Sequence, residues 1–254
     1  MDWRSAVLAT GGSVCSFKLV NALVGRLQAP QGACSKAWKW RNIATSLVHS
    51  SVSGSWAVLC FWRHPQMADD LISTHTLFSH SLVVVSTGYF IYDAMDLLLN
   101  QSFKRSWEVL LHHSVVISCF SLAVSSRLYV GFAVLSLLVE INTVFLHSRQ
   151  LLLLSGRRNR PAGSATTTTP LPPQPTMAYR LTSLLNLATF LVFRVCTLGW
   201  MTRWLARHTE HLPRFVLALG TVGLGGITAM NAVLLYRLLR ADVLTDTRTS
   251  GKDH

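Results

Sequence analysis

The chain has 254 residues, of which 50% are hydrophobic and only 13% are charged, about half the charged fraction of a typical soluble domain. Its 23 Lys and Arg against 11 Asp and Glu give a formal net charge of +12, yet the mean hydropathy is positive at +0.36. A chain that is both basic and apolar indicates a membrane protein and argues against a nucleic-acid-binding domain. One span takes about 20 apolar residues, so about seven spans leave no room for a separate soluble enzyme domain.

The charge pattern divides the chain into seven apolar windows, which predict seven transmembrane helices. The first window is the weakest, because Lys18 interrupts it and Gly11-Gly12 lowers its helix propensity. A cleaved signal peptide is the alternative there, but no clear cleavage site follows, so we expect an uncleaved span. The predicted windows are 5–24, 42–62, 79–99, 107–125, 128–154, 181–204 and 212–239.

The charge of the loops predicts the orientation of the chain in the membrane, and their composition predicts which segments are unstructured. Most Lys and Arg fall in alternate loops, which predicts a cytosolic C-terminus and an outer N-terminus. The stretch 155–176 is rich in proline and threonine and is predicted to be a disordered cytosolic loop, as is the tail 240–254. The cysteines show no CxxC spacing, so we expect neither a disulfide framework nor a zinc site; they are Cys15, Cys34, Cys60, Cys119 and Cys196.

Ionisable residues inside the predicted spans mark the candidate site, because each is costly in hydrocarbon unless paired or hydrated. In the third span Tyr89, Asp93 and Asp96 lie at i, i+4 and i+7 and share one stripe. The fourth span carries the pair His112-His113. A short loop joins the two spans, so carboxylates and histidines are expected to meet at matching depth.

This arrangement has three interpretations. A carboxylate that fixes one histidine tautomer makes a general base or a nucleophile for acyl transfer. The same groups also occur as structural contacts between helices. A metal site is chemically feasible, but none is predicted, because adjacent residues on a helix project about 100° apart and joint chelation by both histidines is awkward.

Further polar residues in the other spans are candidates to line a cavity. Glu140 and Arg194 each lie near the middle of a span, which predicts an ion pair between them. In the second span the polar positions recur at helical spacing and are more typical of a seam between helices than of a ligand site; they are Asn42, Ser46, His49, Ser50, Ser53 and Gly54. The candidate cavity-lining or lipid-binding residues are Tyr89, Tyr92, His49, Glu140, Asn142, His147 and Arg194.

At these residues the chain resembles the TLC-domain (TRAM/Lag1-type) family, which includes the ceramide synthases. The resemblance covers about 40–239, and it is closer to the branch of TLC domain-containing proteins 1 and 2 than to the synthases. It rests on RNIATSLVHSSVSG, GYFIYDAMDLL, SWEVLLHHSVV, LLVEINTVFLHSRQL and LVFRV.

The resemblance implies an all-α membrane protein in which a six-helix barrel encloses a lipid-accessible cavity, preceded by one N-terminal helix in 1–39. In the synthase branch the histidine pair is followed by a histidine-aspartate motif and by a second aspartate three residues later. The same interval here gives Val139, Glu140 and Thr143. Two of the three downstream polar groups are changed, so ceramide synthesis is not expected, although Asp93 and Asp96 are candidate substitute carboxylates.

The branch implies a function in controlling the acyl composition of membrane phospholipids and membrane fluidity at the plasma membrane, with the endoplasmic reticulum as the alternative location. We therefore predict binding of phospholipids or fatty acyl chains in the barrel, without a resident cofactor. A homodimer or a complex with other membrane proteins is also predicted as an option. The alternative function is an acyltransferase that uses acyl-CoA as co-substrate, with His112, His113, Asp93 and Asp96 as catalytic residues. A channel is a third hypothesis, and the last two spans argue against it because they lack a continuous polar lining.

Overall fold

Seven long helices account for most of the chain. The computed structural model describes residues 2–27, 29–159, 175–210 and 212–242, and within these ranges the backbone forms helices and no strand beyond one isolated bridge between Asn159 and Pro175. Seven of these helices are long and apolar enough to cross a membrane, which confirms the seven predicted spans. They are α1 (Trp3–Arg26), α2 (Gln31–Arg63), α3 (Leu77–Asn100), α4 (Phe103–Ser126), α5 (Val130–Leu154), α6 (Met177–Arg207) and α7 (Arg214–Ala241).

The segments predicted to be disordered fall mainly outside the described residues. These are 160–174 in the long loop and 243–254 in the tail. The two ends of the long loop are joined by hydrogen bonds, since Thr176 donates its backbone N–H to the Arg158 carbonyl at 2.8 Å and its hydroxyl to the Arg157 carbonyl at 2.8 Å. The loop therefore leaves and re-enters the bundle at one place, between α5 and α6.

The helices α2 to α7 form a closed ring. Around the ring each helix contacts the next in the order α2, α3, α4, α7, α6 and α5, and α5 returns to α2. This is the six-helix barrel that the family resemblance implied, and α1 packs outside it against α3 and α2. The largest apolar core lies where α1 to α4 meet the start of α5, with Leu82, Val83 and Val134 fully buried there.

The contact between α1 and α3 depends on small side chains. A Cβ added at Gly88 would lie 2.5 Å from the Ser13 Cβ and 2.6 Å from the Thr10 carbonyl oxygen. The backbones approach this closely because Ser13 donates its hydroxyl to the Val85 carbonyl at 2.7 Å. Phe17 packs edge-on against Tyr89 one turn further along, with ring centroids 5.0 Å apart.

The polar positions of α2 form a seam between helices, as their spacing predicts. Most of its buried hydroxyls donate to backbone carbonyls one turn earlier, as Ser46 does to Asn42 and Ser53 does to His49. Gly54 permits close approach to α5, because an added Cβ would lie 3.2 Å from the Ile141 backbone nitrogen. The seam therefore buries its hydroxyls without leaving them unpaired.

Two helices of the ring depart from regular α geometry at the level of the candidate site. In α5 a 3₁₀ turn, Leu137–Val139, immediately precedes Glu140. In α6 a π-helical segment, Phe190–Cys196, contains Arg194. A π segment changes the direction in which side chains leave the axis, and such segments are frequent at functional sites. Both irregularities therefore affect where the two ionisable side chains point.

Candidate functional site

A cavity of about 450 Å³ lies inside the ring at the end of the bundle that carries the loop between α3 and α4. We call it the polar chamber. All six helices of the ring contribute to its wall. The predicted site residues that line it are Tyr89, Asp93, His112, His113, Glu140, His147 and Arg194.

Asp93 of α3 and His113 of α4 meet at the wall of the polar chamber. His113 Nδ1 lies 3.6 Å from Asp93 Oδ2, and both side chains are buried. They meet because only Gln101 and Ser102 separate α3 from α4, which makes the two helices antiparallel neighbours. The predicted contact between the carboxylates of the third span and the histidines of the fourth span is confirmed for Asp93 and His113. At 3.6 Å the contact is longer than a hydrogen bond, and closing it needs a small shift of one side chain.

The two carboxylates of α3 are held from α2 by residues that the motifs did not identify as part of the site. Asn42 Nδ2 donates to Asp93 Oδ1 at 2.7 Å and to Asp96 Oδ2 at 3.0 Å. The indole of Trp38 also donates to Asp96 Oδ2, at 3.1 Å. Asn42 thus bridges the two carboxylates, and Asp96 lies outside the lining of the polar chamber. The sequence signal available for Asn42 was its place at the start of the α2 seam.

Arg194 does not form the predicted direct ion pair with Glu140. Its guanidinium donates to three neutral oxygens, those of Asn142, Thr143 and Asn231, the last two both at 2.8 Å. The helical position of each residue predicted its depth correctly but not its direction around the helix axis, which the irregular segments alter. Glu140 and Arg194 nevertheless line the same chamber.

The remaining predicted residues lie behind the wall of the chamber. His49 is fully buried and stacks on Tyr89, with ring centroids 3.7 Å apart. Asn142 is also fully buried, and its amide donates to the Asn186 carbonyl at 2.8 Å, which ties α5 to α6. His49, Tyr92 and Asn142 therefore support the chamber rather than line it.

A second cavity continues from the polar chamber toward the opposite end of the bundle. It measures about 130 Å³, and apolar side chains of α4, α5, α6 and α7 dominate its wall, among them Val116, Leu198 and Leu224. We call it the apolar chamber. The two chambers share four lining residues, which form their junction: Phe90, His112, Val139 and Glu140. The family resemblance implied a lipid-accessible cavity, but no sequence motif identified the residues that line the apolar chamber.

The rim of the polar chamber is charged. Glu108 of α4 and Arg237 of α7 form a two-point ion pair, with distances of 3.1 and 3.0 Å. Both side chains are well exposed, so this pair contributes little to stability.

Within the described residues no group of three or more His, Cys, Asp or Glu is arranged to hold a metal ion. The chemistry that the site offers is therefore that of histidine, carboxylate and guanidinium groups beside an apolar cavity.

The match to a family model covers all six helices of the ring. The model described as the TLC domain matches residues 39–240, which run from the first third of α2 to the last turn of α7. The chain belongs to the TLC-domain family. Three TLC-domain relatives agree with this over nearly the whole length, and they place the chain in the branch of TLC domain-containing proteins 1 and 2.

TLC domain-containing protein 2 of Danio rerio is 52% identical over 248 residues, which cover 98% of this chain and 94% of that protein. The human protein of the same name is 40% identical over 240 residues, covering 94% of this chain and 85% of that protein. TLC domain-containing protein 1 of Gallus gallus is 32% identical, covering 99% of this chain and 95% of that protein. No solved structure matches this TLC-domain chain.

Proposed function

We propose that this multi-pass membrane protein binds a lipid with part of its acyl chain in the apolar chamber and its polar end in the polar chamber, and so regulates the acyl composition of membrane phospholipids. The observation that carries the proposal is the junction of the two chambers at His112 and Glu140. A cavity that is apolar at one end and polar at the other matches the division of a lipid into chain and headgroup.

The proposal extends to location and partners. The polar chamber opens at the end that the distribution of Lys and Arg predicts to be cytosolic, where lipid headgroups of the inner leaflet lie. Membrane phospholipids and their acyl chains are the proposed partners. The proposed location is the plasma membrane, with the endoplasmic reticulum as the alternative.

Filling the apolar chamber tests the binding proposal. Gly220 lines this chamber, whereas Gly225 lies on the same helix with nothing within 4 Å of an added Cβ. We expect Gly220→Leu to weaken binding of a fluorescent acyl probe by about tenfold or more, because the new side chain removes space and contacts that the chain needs. Displacement titrations with the purified protein in detergent micelles measure this.

Gly225→Leu is the matched control, since it adds the same side chain to the same helix where there is open space. It is expected to bind the probe like the wild type. Equal binding by wild type and Gly220→Leu, at equal thermal stability, would contradict occupation of the apolar chamber.

A second function, transfer of a fatty acyl group from acyl-CoA to a lipid acceptor, is favoured by one specific observation. His113 lies beside Asp93, and its neighbour His112 faces both chambers. A histidine oriented by a carboxylate can remove a proton from an acceptor amine or hydroxyl. In this reading His112 and His113 are catalytic, Asp93 orients His113, and acyl-CoA is a co-substrate.

Complementation of cells that lack the protein distinguishes lipid binding from acyl transfer. We expect His112→Gln/His113→Gln to restore phospholipid acyl composition after deletion, because a lipid-binding protein needs the volume and polarity of these side chains and not their basicity. The measurement is mass spectrometry of lipids from cells given isotope-labelled fatty acid, with variants matched for abundance in the membrane. His75→Gln serves as the control, because His75 is exposed in the loop before α3. Loss of label incorporation only in the double variant would favour acyl transfer.

A further inference from the structure

The side chain of Arg41 lies between α2 and α1 without a hydrogen-bond acceptor. It crosses the end of α1 at Gly25, where an added Cβ would lie 3.0 Å from the Arg41 Cδ and 3.4 Å from its Nη1. The guanidinium donates no hydrogen bond to the part of the chain that the structure describes, and its Nε is buried. Because unpaired donors cost free energy, this arrangement favours an acceptor supplied from outside the chain.

The two helices that enclose Arg41 carry no acidic residue. The sequence has no Asp or Glu from 3 to 68, a stretch that includes all of α1 and α2. Asp96 of α3 accepts hydrogen bonds from Trp38 and Asn42, but it is not within ion-pair distance of the Arg41 guanidinium. The charge of Arg41 is therefore left for an anion that the protein does not supply.

The neighbouring residues place Arg41 at the level of the lipid headgroups. Gly25 is the last residue but one of α1, and Trp40 directly precedes Arg41. Tryptophan is enriched where membrane helices leave the hydrocarbon. The distribution of Lys and Arg predicts that this end faces the cytosolic leaflet, which is rich in anionic lipids. The same end of the two helices carries further exposed cations, which are Arg26, Lys36 and Lys39.

Arg41 is separate from the cavities inside the ring. It lines neither the polar chamber nor the apolar chamber, and α1 packs against the outside of the ring. A ligand of Arg41 is therefore a molecule other than the lipid proposed to occupy the chambers.

We propose that Arg41, packed against Gly25, binds the phosphate of an anionic phospholipid of the surrounding bilayer in the groove between α1 and α2. A guanidinium presents parallel N–H groups that match two phosphate oxygens, and the burial of Nε leaves Nη1 and Nη2 for this contact. The exposed cations at the same end attract a headgroup with a net negative charge and repel the ammonium of a choline headgroup. The bound lipid connects α1 to the ring from the outside.

The first test compares two lipids with the same acyl chains and different headgroups. Dioleoyl phosphatidylserine and dioleoyl phosphatidylcholine are titrated into the purified protein in micelles, and native mass spectrometry measures the affinity of each. We expect the serine lipid to bind about tenfold tighter, because each cation near the headgroup contributes to the attraction. Equal affinities for the wild-type protein would overturn the proposal, and this readout needs no variant.

Arg41→Gln and Arg26→Gln separate a specific site from general attraction. Each removes one positive charge at the same end of the α1–α2 pair, but only Arg41 is enclosed between the two helices. We expect Arg41→Gln to lower the affinity for phosphatidylserine about tenfold, because hydrogen bonds to a charged group are lost. Arg26→Gln is expected to lower it about twofold or less, as for an exposed charge in water. Equal losses in the two variants would overturn the proposal.

Gly25→Leu displaces the Arg41 side chain without changing any charge. Its Cβ would lie 3.0 Å from the Arg41 Cδ, so the flexible arginine must move. We expect this variant to lose the preference for phosphatidylserine, whereas Gly12→Leu, on the same helix with nothing within 4 Å of an added Cβ, retains it. A retained preference in Gly25→Leu, at unchanged thermal stability, would overturn the proposal.

Gly220→Leu makes the test independent of lipid binding inside the ring. It fills the apolar chamber, which Arg41 does not line. We expect this variant to retain the preference for phosphatidylserine even though it binds the acyl probe weakly. Loss of the preference in Gly220→Leu would assign the anionic lipid to the chambers and overturn the site at Arg41.

Discussion

Replacing Asn42 by leucine is expected to destabilise the protein by about 3 kcal/mol, because it leaves a buried carboxylate without its hydrogen-bond donor. Asn42 donates to both Asp93 and Asp96, and Asp93 is only 5% exposed. Leucine keeps the size of the side chain and removes both donors. Asp96 retains the Trp38 indole, so the loss falls mainly on Asp93. The measurement is thermal unfolding of the purified protein in micelles.

Asn100→Ala is the matched control for this prediction. Asn100 also donates to Asp96, at 3.1 Å, but it is exposed at the end of α3. Water replaces that hydrogen bond, so the change in the free energy of unfolding is expected to stay within about 0.5 kcal/mol. Equal effects of the two substitutions would contradict the role of Asn42 in holding the buried carboxylate.

Replacing Gly88 by alanine is expected to destabilise the packing of α1 on the ring by about 1–3 kcal/mol, because the added methyl group overlaps atoms that cannot move independently. Two of the nearest atoms belong to the backbone or to a Cβ of α1, at Thr10 and Ser13. Relieving the overlap requires the whole helix to move away, which breaks the hydrogen bond from Ser13 to Val85. Thermal unfolding in micelles detects the loss.

Gly12→Ala makes the same change on α1 where an added Cβ meets nothing within 4 Å. Alanine has the higher helix propensity, so this control is expected to be neutral or slightly stabilising. A Gly88→Ala protein as stable as the Gly12→Ala protein would show that α1 is not held at this crossing.

The architecture was predictable from the sequence because hydrocarbon imposes strict rules on composition. Each span must be long and apolar, so the seven windows predicted the seven helices. The contact between Asp93 and His113 was also predictable. Because a short loop joins α3 and α4, counting residues from that loop gives the depth of each side chain in the membrane, and the two depths match. These inferences use position along a helix, which sequence spacing gives directly.

The details of the site depend on the direction in which each side chain points around its helix axis. Residue spacing predicts that direction only where the helix is regular. The 3₁₀ turn before Glu140 and the π segment around Arg194 change that rotation, and the predicted ion pair was therefore wrong. The bridging role of Asn42 was missed because one amide can serve either a seam or a site. The family resemblance implied a lipid-accessible cavity, but the sequence did not identify the lining of the apolar chamber, because those residues are of the same types as the ones that face lipid.

The ring order has a consequence for biosynthesis. Two of its seams, α2 with α5 and α4 with α7, join helices that are distant in the sequence. Helices are synthesised in chain order, so the seam between α4 and α7 closes last. Until α7 arrives, the ionisable side chains of the polar chamber border an incomplete wall. A nonsense codon before Arg214 would leave that wall open permanently and make the truncated product a substrate for membrane quality control.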